Sequence, residues 1–134
     1  MPNSNRHAAA ALAILIVLQL TMLSALYAGI EPHPPIATPL FGIAPFIGAS
    51  VSLALAAIMS KPATSAAGRG LSVLAVLSAL VSFGPQKYVD PNFGLIWPAV
   101  MLGQVAASVI VIEVVRISRR RRSDPMMASD TGRI

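Results

Sequence analysis

The chain has 134 residues, of which 55% are hydrophobic and only 11% are charged, and its mean hydropathy is +0.72. A water-soluble globular protein carries about 25% charged residues, so this composition indicates an integral membrane protein. The sequence contains no cysteine, which excludes disulfides, thiol redox chemistry, iron–sulfur clusters and Cys-type zinc sites. The net charge of +5 comes mostly from the stretch after residue 115; because that stretch follows an apolar run, we expect anionic lipids there and no nucleic acid partner.

Four uncharged or nearly uncharged apolar runs divide the sequence, at about residues 8–30, 36–59, 70–85 and 93–115, and they predict helices at about residues 8–30, 36–59, 70–86 and 93–116. A helix needs about 20 apolar residues to cross a hydrocarbon core of roughly 30 Å. Inside a bilayer the backbone polar groups must be satisfied within the segment, which favours helices. We therefore predict an all-α integral membrane protein, a four-helix transmembrane bundle forming a single domain over residues 1–122. Residues 123–134 are predicted to be a short disordered cytoplasmic tail.

The first run has 23 residues without a charge. It exceeds the roughly 7 to 15 apolar residues of a signal peptide and ends without a small-x-small cleavage site, so we predict a retained helix. Gln19 lies near its middle, and Gln104 lies about a third of the way into the fourth run. Their depths would allow the two side chains to approach each other. We interpret both as candidate interhelical hydrogen-bonding groups, with contact to a substrate as the alternative.

Pro39 and Pro45 lie near the start of the second run, and Pro45, the deeper of the two, is expected to bend the helix. A bend near a helix start is the simpler interpretation, and a broken helix at a transport site is the alternative. Small residues then recur at four-residue spacing, at Gly48, Ser52 and Ala56. Such a stripe allows two helices to approach closely in a membrane.

The third run, from Gly70 to Pro85, has only 16 residues, or about 24 Å of helix. The distribution of positive charge nevertheless favours a crossing. If the chain crosses four times, nine of its ten basic residues fall on one side and only Lys87 falls on the other. Basic residues accumulate in cytoplasmic loops, so we predict four crossings with both the N and C termini in the cytoplasm.

The loop before the fourth run is the most distinctive polar segment outside the basic stretches. We predict that it is a recognition loop, with candidate residues Gln86, Lys87, Tyr88 and Asp90. Aromatic residues near the same ends of the helices are predicted to form a belt at the membrane interface. They are Tyr27, Phe41, Phe83, Tyr88, Phe93 and Trp97.

The fourth run carries a small-residue stripe at Ala99, Gly103 and Ala107. We predict that this stripe is a helix-contact face, directed either into the bundle or toward another protein. Glu113 is the one ionisable residue inside a run, three residues before Arg116. That spacing brings helical side chains together, so an ion pair near the headgroups is predicted, and a proton-coupled site is the alternative.

The sequence offers no set of residues for catalysis. His7 and His33 are the only histidines, and they flank the first helix roughly 39 Å apart, too far to bind one metal or haem together. We find no paired carboxylates, phosphate-binding loop or Ser-His-Asp arrangement at a common depth. We therefore predict no enzymatic activity and assign no cofactor or metal.

Three functional hypotheses remain. The first is an accessory or assembly subunit of a membrane complex, with a membrane-protein partner or a second copy of the chain. The second is a small oligomeric transporter or channel, which would use Pro45, Glu113 and the two glutamines. The third is a quinone- or haem-associated membrane subunit. Richness in alanine favours a bacterial inner membrane as the location.

Overall fold

The computed structural model describes residues 2–30 and 40–124, and the regular structure in this part of the chain is entirely helical. The α-helices are Asn3–Tyr27 (α1), Leu40–Met59 (α2), Ala66–Phe83 (α3) and Phe93–Ser123 (α4), and a short 3-10 helix spans Pro85–Val89. All four α-helices are long and apolar enough to cross a membrane. The predictions of an all-α fold and of four such helices are therefore confirmed.

The helices form a closed ring. Each packs against its neighbours in sequence, α1 packs most extensively against α4, and α1 meets α3 only slightly across the ring. One end of the ring, here called the basic end, contains the start of α1, the α2–α3 loop and the end of α4. The other end, here called the aromatic end, contains the 3-10 helix and the aromatic side chains at the neighbouring helix ends.

The core is made mainly of alanine with a few larger aliphatic side chains. Lipid is as apolar as these side chains, so the helices associate through close packing of small residues. The buried cluster includes Ala11, Leu12, Leu15, Ala54, Ala57, Ala75, Ala79, Ala107 and Ile110.

Three helices extend further at the basic end than the apolar runs predicted, α1 by five residues, α3 by four and α4 by seven. α3 begins at Ala66 rather than at residue 70, and α4 continues to Ser123 rather than ending near residue 116. The Ser65 hydroxyl caps α3 by accepting a hydrogen bond from the Gly68 N–H at 2.8 Å. Arginine is a strong helix former and its charge complements the C-terminal end of the helix dipole, so the arginine cluster lengthens α4.

The other bounds differ by three residues or fewer, or lie outside the described residues. α1 ends at Tyr27 rather than at residue 30, and α3 ends at Phe83 rather than at residue 86. The predicted start of the second helix at residue 36 and all but the first two residues of the predicted tail lie outside the described residues. Helix α2 continues through Pro45, its sixth residue; the bend predicted there stays a prediction.

The α2–α3 loop makes a tight turn in which one lysine adopts a left-handed backbone. Lys61 has φ of 58°, a region that residues other than glycine and asparagine usually avoid. It ends α2 in the way that a left-handed C-cap does. The turn brings α3 so close to the end of α2 that Gly68 has no room for a side chain. A Cβ there would lie 2.6 Å from the Ser60 carbonyl oxygen and would also collide with the Lys61 carbonyl oxygen.

Candidate functional site

The basic end is organised around Thr64 in the α2–α3 loop. The buried Asn5 side chain of α1 accepts hydrogen bonds from the backbone N–H groups of Ala63, at 2.9 Å, and Thr64, at 3.2 Å. Its Nδ2 atom donates to the Thr64 hydroxyl at 2.9 Å. Asn5 therefore fastens α1 to the loop through three hydrogen bonds, which fixes the orientation of the Thr64 peptide.

Two arginines reach the same loop from the other helices. The Thr64 carbonyl oxygen accepts from Arg69 Nη1 of α3 at 3.1 Å and from Arg121 Nη2 of α4 at 2.6 Å. Three helices thus meet at one residue. The sequence indicated only that these cations share a side of the membrane, because a shared carbonyl acceptor leaves no trace in residue spacing.

Glu113 is buried in the α1–α4 contact, with a side chain that is 7% exposed. Its Oε1 atom lies 3.6 Å from Arg116 Nη1, so the predicted pair with Arg116 is present. The same oxygen lies 3.4 Å from His7 Nδ1 of α1, a contact that the sequence did not predict because the two residues are 106 positions apart. Glu113 Oε2 is buried and has no hydrogen-bond partner among the described residues, an arrangement that is expensive for a charged carboxylate.

Gln19 makes a buried polar contact between α1 and α2. Its Nε2 atom donates to the Ser50 hydroxyl at 2.6 Å, and both side chains are buried between α1 and α2. Gln19 and Gln104, whose depths would allow them to approach each other, therefore hydrogen-bond to separate partners in the described structure. Equal depth was not sufficient, because Gln104 is engaged with α3 and the 3-10 helix on another side of the ring.

Gln104 joins the elements of the aromatic end. Its Oε1 atom accepts from the Tyr88 hydroxyl at 2.7 Å, and its Nε2 atom donates to the Phe83 carbonyl oxygen at 3.2 Å. The Tyr88 ring packs against Phe93 with the ring centroids 5.3 Å apart. These contacts connect the end of α3, the 3-10 helix and the start of α4.

The other members of the predicted recognition loop also have partners within the chain. Gln86 Nε2 donates to the carbonyl oxygens of Leu80 and Val81, at 2.8 and 2.9 Å, and so caps the end of α3. Lys87 Nζ lies 3.6 Å from Asp90 Oδ2, and Asp90 Oδ1 accepts from a backbone N–H two residues on. These bonds shape the loop; its role in recognition stays a prediction.

The small-residue stripes of α4 and α2 point in different directions. Gly103 and Ala107 are buried in the bundle and Ala99 is half-buried; a Cβ on Gly103 would lie 2.9 Å from the Phe83 Cβ. The predicted contact face of α4 is therefore directed mainly into this bundle. Gly48 and Ser52 of α2 are exposed on the outside, and a Cβ on Gly48 would meet no atom within 4 Å.

The described residues contain no group of three His, Cys, Asp or Glu side chains that could hold a metal ion. His33 and Glu31 lie outside them. No family model matches the sequence, and neither a curated protein nor a solved structure shows significant similarity to it.

Proposed function

We propose that this chain is a small multi-pass protein of the bacterial inner membrane that acts without catalysis, as an accessory or assembly subunit of a membrane complex. The basic end faces the cytoplasm in this proposal, with both termini on that side and anionic lipids around the Arg116–Arg122 cluster. The charge distribution supports this orientation, because Lys87 is the one basic residue of the described part that belongs to the aromatic end.

The observation that carries the proposal is the outward direction of the α2 stripe. The small residues of α3 and α4 are used inside the ring, where Ala75, Ala79, Gly103 and Ala107 are buried. Gly48 and Ser52 remain on the outside of α2. The Ser52 hydroxyl donates a hydrogen bond to the Gly48 carbonyl oxygen of its own helix at 2.8 Å. A smooth helix surface of this kind admits the close approach of a second helix, here a transmembrane helix of the partner protein.

The interior supports a scaffolding role rather than a transport path. The polar contacts lie between different helices: Asn5, Ser72 and Glu113 at the basic end, Gln19 between α1 and α2, and Gln104 between α4, the end of α3 and the 3-10 helix. The buried cluster that fills the rest of the bundle is aliphatic. Separate polar contacts in an aliphatic core suit a scaffold, because each of them holds two neighbouring elements together.

Photo-crosslinking in native membranes tests the proposal. A photoreactive residue at position 52 of α2 is expected to form one discrete adduct with a different membrane protein. The same residue at position 17 of α1, where the valine is 61% exposed, should label only lipid. Gly48→Leu should abolish the adduct because the added side chain blocks close approach, whereas Ala13→Leu, on the exposed side of α1, should leave it intact. An adduct with a second copy of this chain, or equal labelling from both positions, would contradict the accessory role.

Glu113 favours a small oligomeric transporter as the second candidate. Its buried Oε2 atom, which has no hydrogen-bond partner within residues 2–30 and 40–124, is a place that a proton or a cation could occupy. The exposed His7 beside Glu113 connects it to the aqueous side. In pyranine-loaded vesicles carrying a potassium diffusion potential, this candidate predicts proton flux that Glu113→Gln lowers at least about tenfold. Asp90→Asn removes a carboxylate at the other end and should leave the flux unchanged. Flux that survives Glu113→Gln, or no flux from the wild-type protein, would eliminate it.

A further inference from the structure

Arg69 and Arg121 place two positive charges on a single neutral acceptor. Both guanidinium groups donate to the Thr64 carbonyl oxygen, from α3 and from α4. Within the described residues the ion pairs are His7–Glu113, Lys87–Asp90 and Arg116–Glu113, and none of them includes either arginine. Two guanidinium groups that donate to the same oxygen repel each other. An anion between them would offset the free-energy cost of that repulsion.

The geometry leaves most of the hydrogen-bonding capacity of both arginines free for such an anion. A guanidinium has five N–H donors, and each of these arginines uses one of them in its bond to Thr64 within the described part of the chain. The planar fork of a guanidinium matches the oxygens of a phosphate group in a bidentate arrangement. The acceptor that holds the two forks together is itself fixed by Asn5, so the site is assembled before a ligand arrives.

The surface next to Arg69 indicates the source of the phosphate. Val73 and Leu77 follow Arg69 at four-residue intervals along α3, and they are 42% and 57% exposed. An apolar strip therefore leads away from the guanidinium toward the middle of the helix, as an acyl chain would run from its headgroup. A soluble phosphate ion would make no use of this strip.

We propose that Arg69 and Arg121 bind the phosphate group of an anionic membrane lipid, with Val73 and Leu77 along its acyl chain. The inference rests on the membrane placement in the proposed function and deepens its lipid contact into one defined site. It does not depend on the partner protein, so crosslinking from position 52 and lipid binding here can fail separately.

The test measures lipid retention by native mass spectrometry of the full chain in detergent, after addition of phosphatidylglycerol or of phosphatidylcholine with the same acyl chains. We expect Arg69→Gln and Arg121→Gln each to lower retention of phosphatidylglycerol about tenfold, as loss of a charge-assisted hydrogen bond implies. Arg6→Gln and Lys61→Gln remove the same charge from exposed positions of the basic end that lie outside the Arg116–Arg122 cluster, and they should change retention less than about twofold. Phosphatidylcholine should be retained weakly by every variant, because it has no net charge.

Two further arms separate specific binding from its alternatives. Arg121→Lys keeps the positive charge but loses the planar guanidinium group that can bind a phosphate through two N–H donors. We therefore expect a folded protein that retains phosphatidylglycerol several-fold more weakly. Inorganic phosphate in millimolar excess should not displace phosphatidylglycerol. Equal losses from Arg6→Gln and Arg121→Gln would show diffuse electrostatic attraction and overturn the site. Displacement of the lipid by inorganic phosphate would show that the site binds a soluble anion, and it would overturn the proposal that a lipid is the ligand.

Discussion

Alanine at position 68 is expected to destabilise the bundle by about 3 kcal/mol, the upper end of the cost of forcing an extra carbon into a packed site. The new Cβ would lie 2.6 Å from the Ser60 carbonyl oxygen and would collide with the carbonyl of Lys61. Both are backbone atoms, which cannot move aside as a flexible side chain can. Relief requires α3 to shift away from the end of α2, which would disturb the Ser65 cap and the hydrogen bond from Ser72 to Pro62.

Gly70 supplies the matched control, two residues along the same helix. A Cβ on Gly70 would meet nothing within 4 Å, and alanine favours a helix interior over glycine by roughly 0.5–1 kcal/mol. Gly68→Ala and Gly70→Ala should therefore change the free energy of unfolding in opposite directions. Titration of the detergent-solubilised protein with SDS, followed by Trp97 fluorescence, measures both. Equal values for the two variants would show that the approach of α3 to the loop is looser than the structure has it.

Asn5→Ala is the second large expected effect, also about 3 kcal/mol of lost stability. Asn5 is 1% exposed, and its removal leaves the Ala63 N–H without an acceptor and the Thr64 hydroxyl without its donor. A buried polar group without a partner costs about 1–3 kcal/mol. The carbonyl of Thr64 would also lose its fixed direction, so α1 and α4 should loosen together.

Two variants distinguish hydrogen bonding at Asn5 from simple loss of volume. Asn3→Ala removes the same side chain from an exposed position of α1 and should change stability by less than about 0.5 kcal/mol. Asn5→Asp keeps the acceptor for the two backbone N–H groups, and it should lose less than Asn5→Ala. The same SDS titration measures all three. A loss for Asn5→Ala no larger than that for Asn3→Ala would refute the role given to Asn5 at the basic end.

The helices could be predicted because an apolar run without charges has few alternatives in a membrane. The third run showed the limit of that argument, since its 16 apolar residues omitted the turn that Ser65 caps. The distribution of basic residues in the loops predicted that the third helix crosses the membrane, although its apolar run was short. Helix ends at the basic end were misplaced because hydropathy marks where apolar residues stop, whereas arginine continues a helix readily.

The site was less accessible to prediction, because its contacts join residues that are far apart in sequence. Glu113 and Arg116 are three residues apart and their pairing was predicted; His7 completes the same group from another helix. Gln19 was recognised as a polar residue of the interior, but its partner depends on which helices are neighbours, and four runs alone do not fix that order. Asn5 gave no signal, because a single asparagine before an apolar run resembles any solvated residue.

The closure of α1 on α4 has a consequence for how the protein is made. Chains are synthesised and inserted from the N-terminal side, so α1 enters the membrane long before α4, the helix against which it packs most extensively. During that interval the buried Leu12 and Leu15 of α1 lack α4, and Glu113 has yet to meet His7. Assembly should therefore complete in one late step, when α4 arrives and Arg121 reaches Thr64. Ribosome-bound intermediates that lack α4 should be the form most exposed to membrane proteases and insertion chaperones.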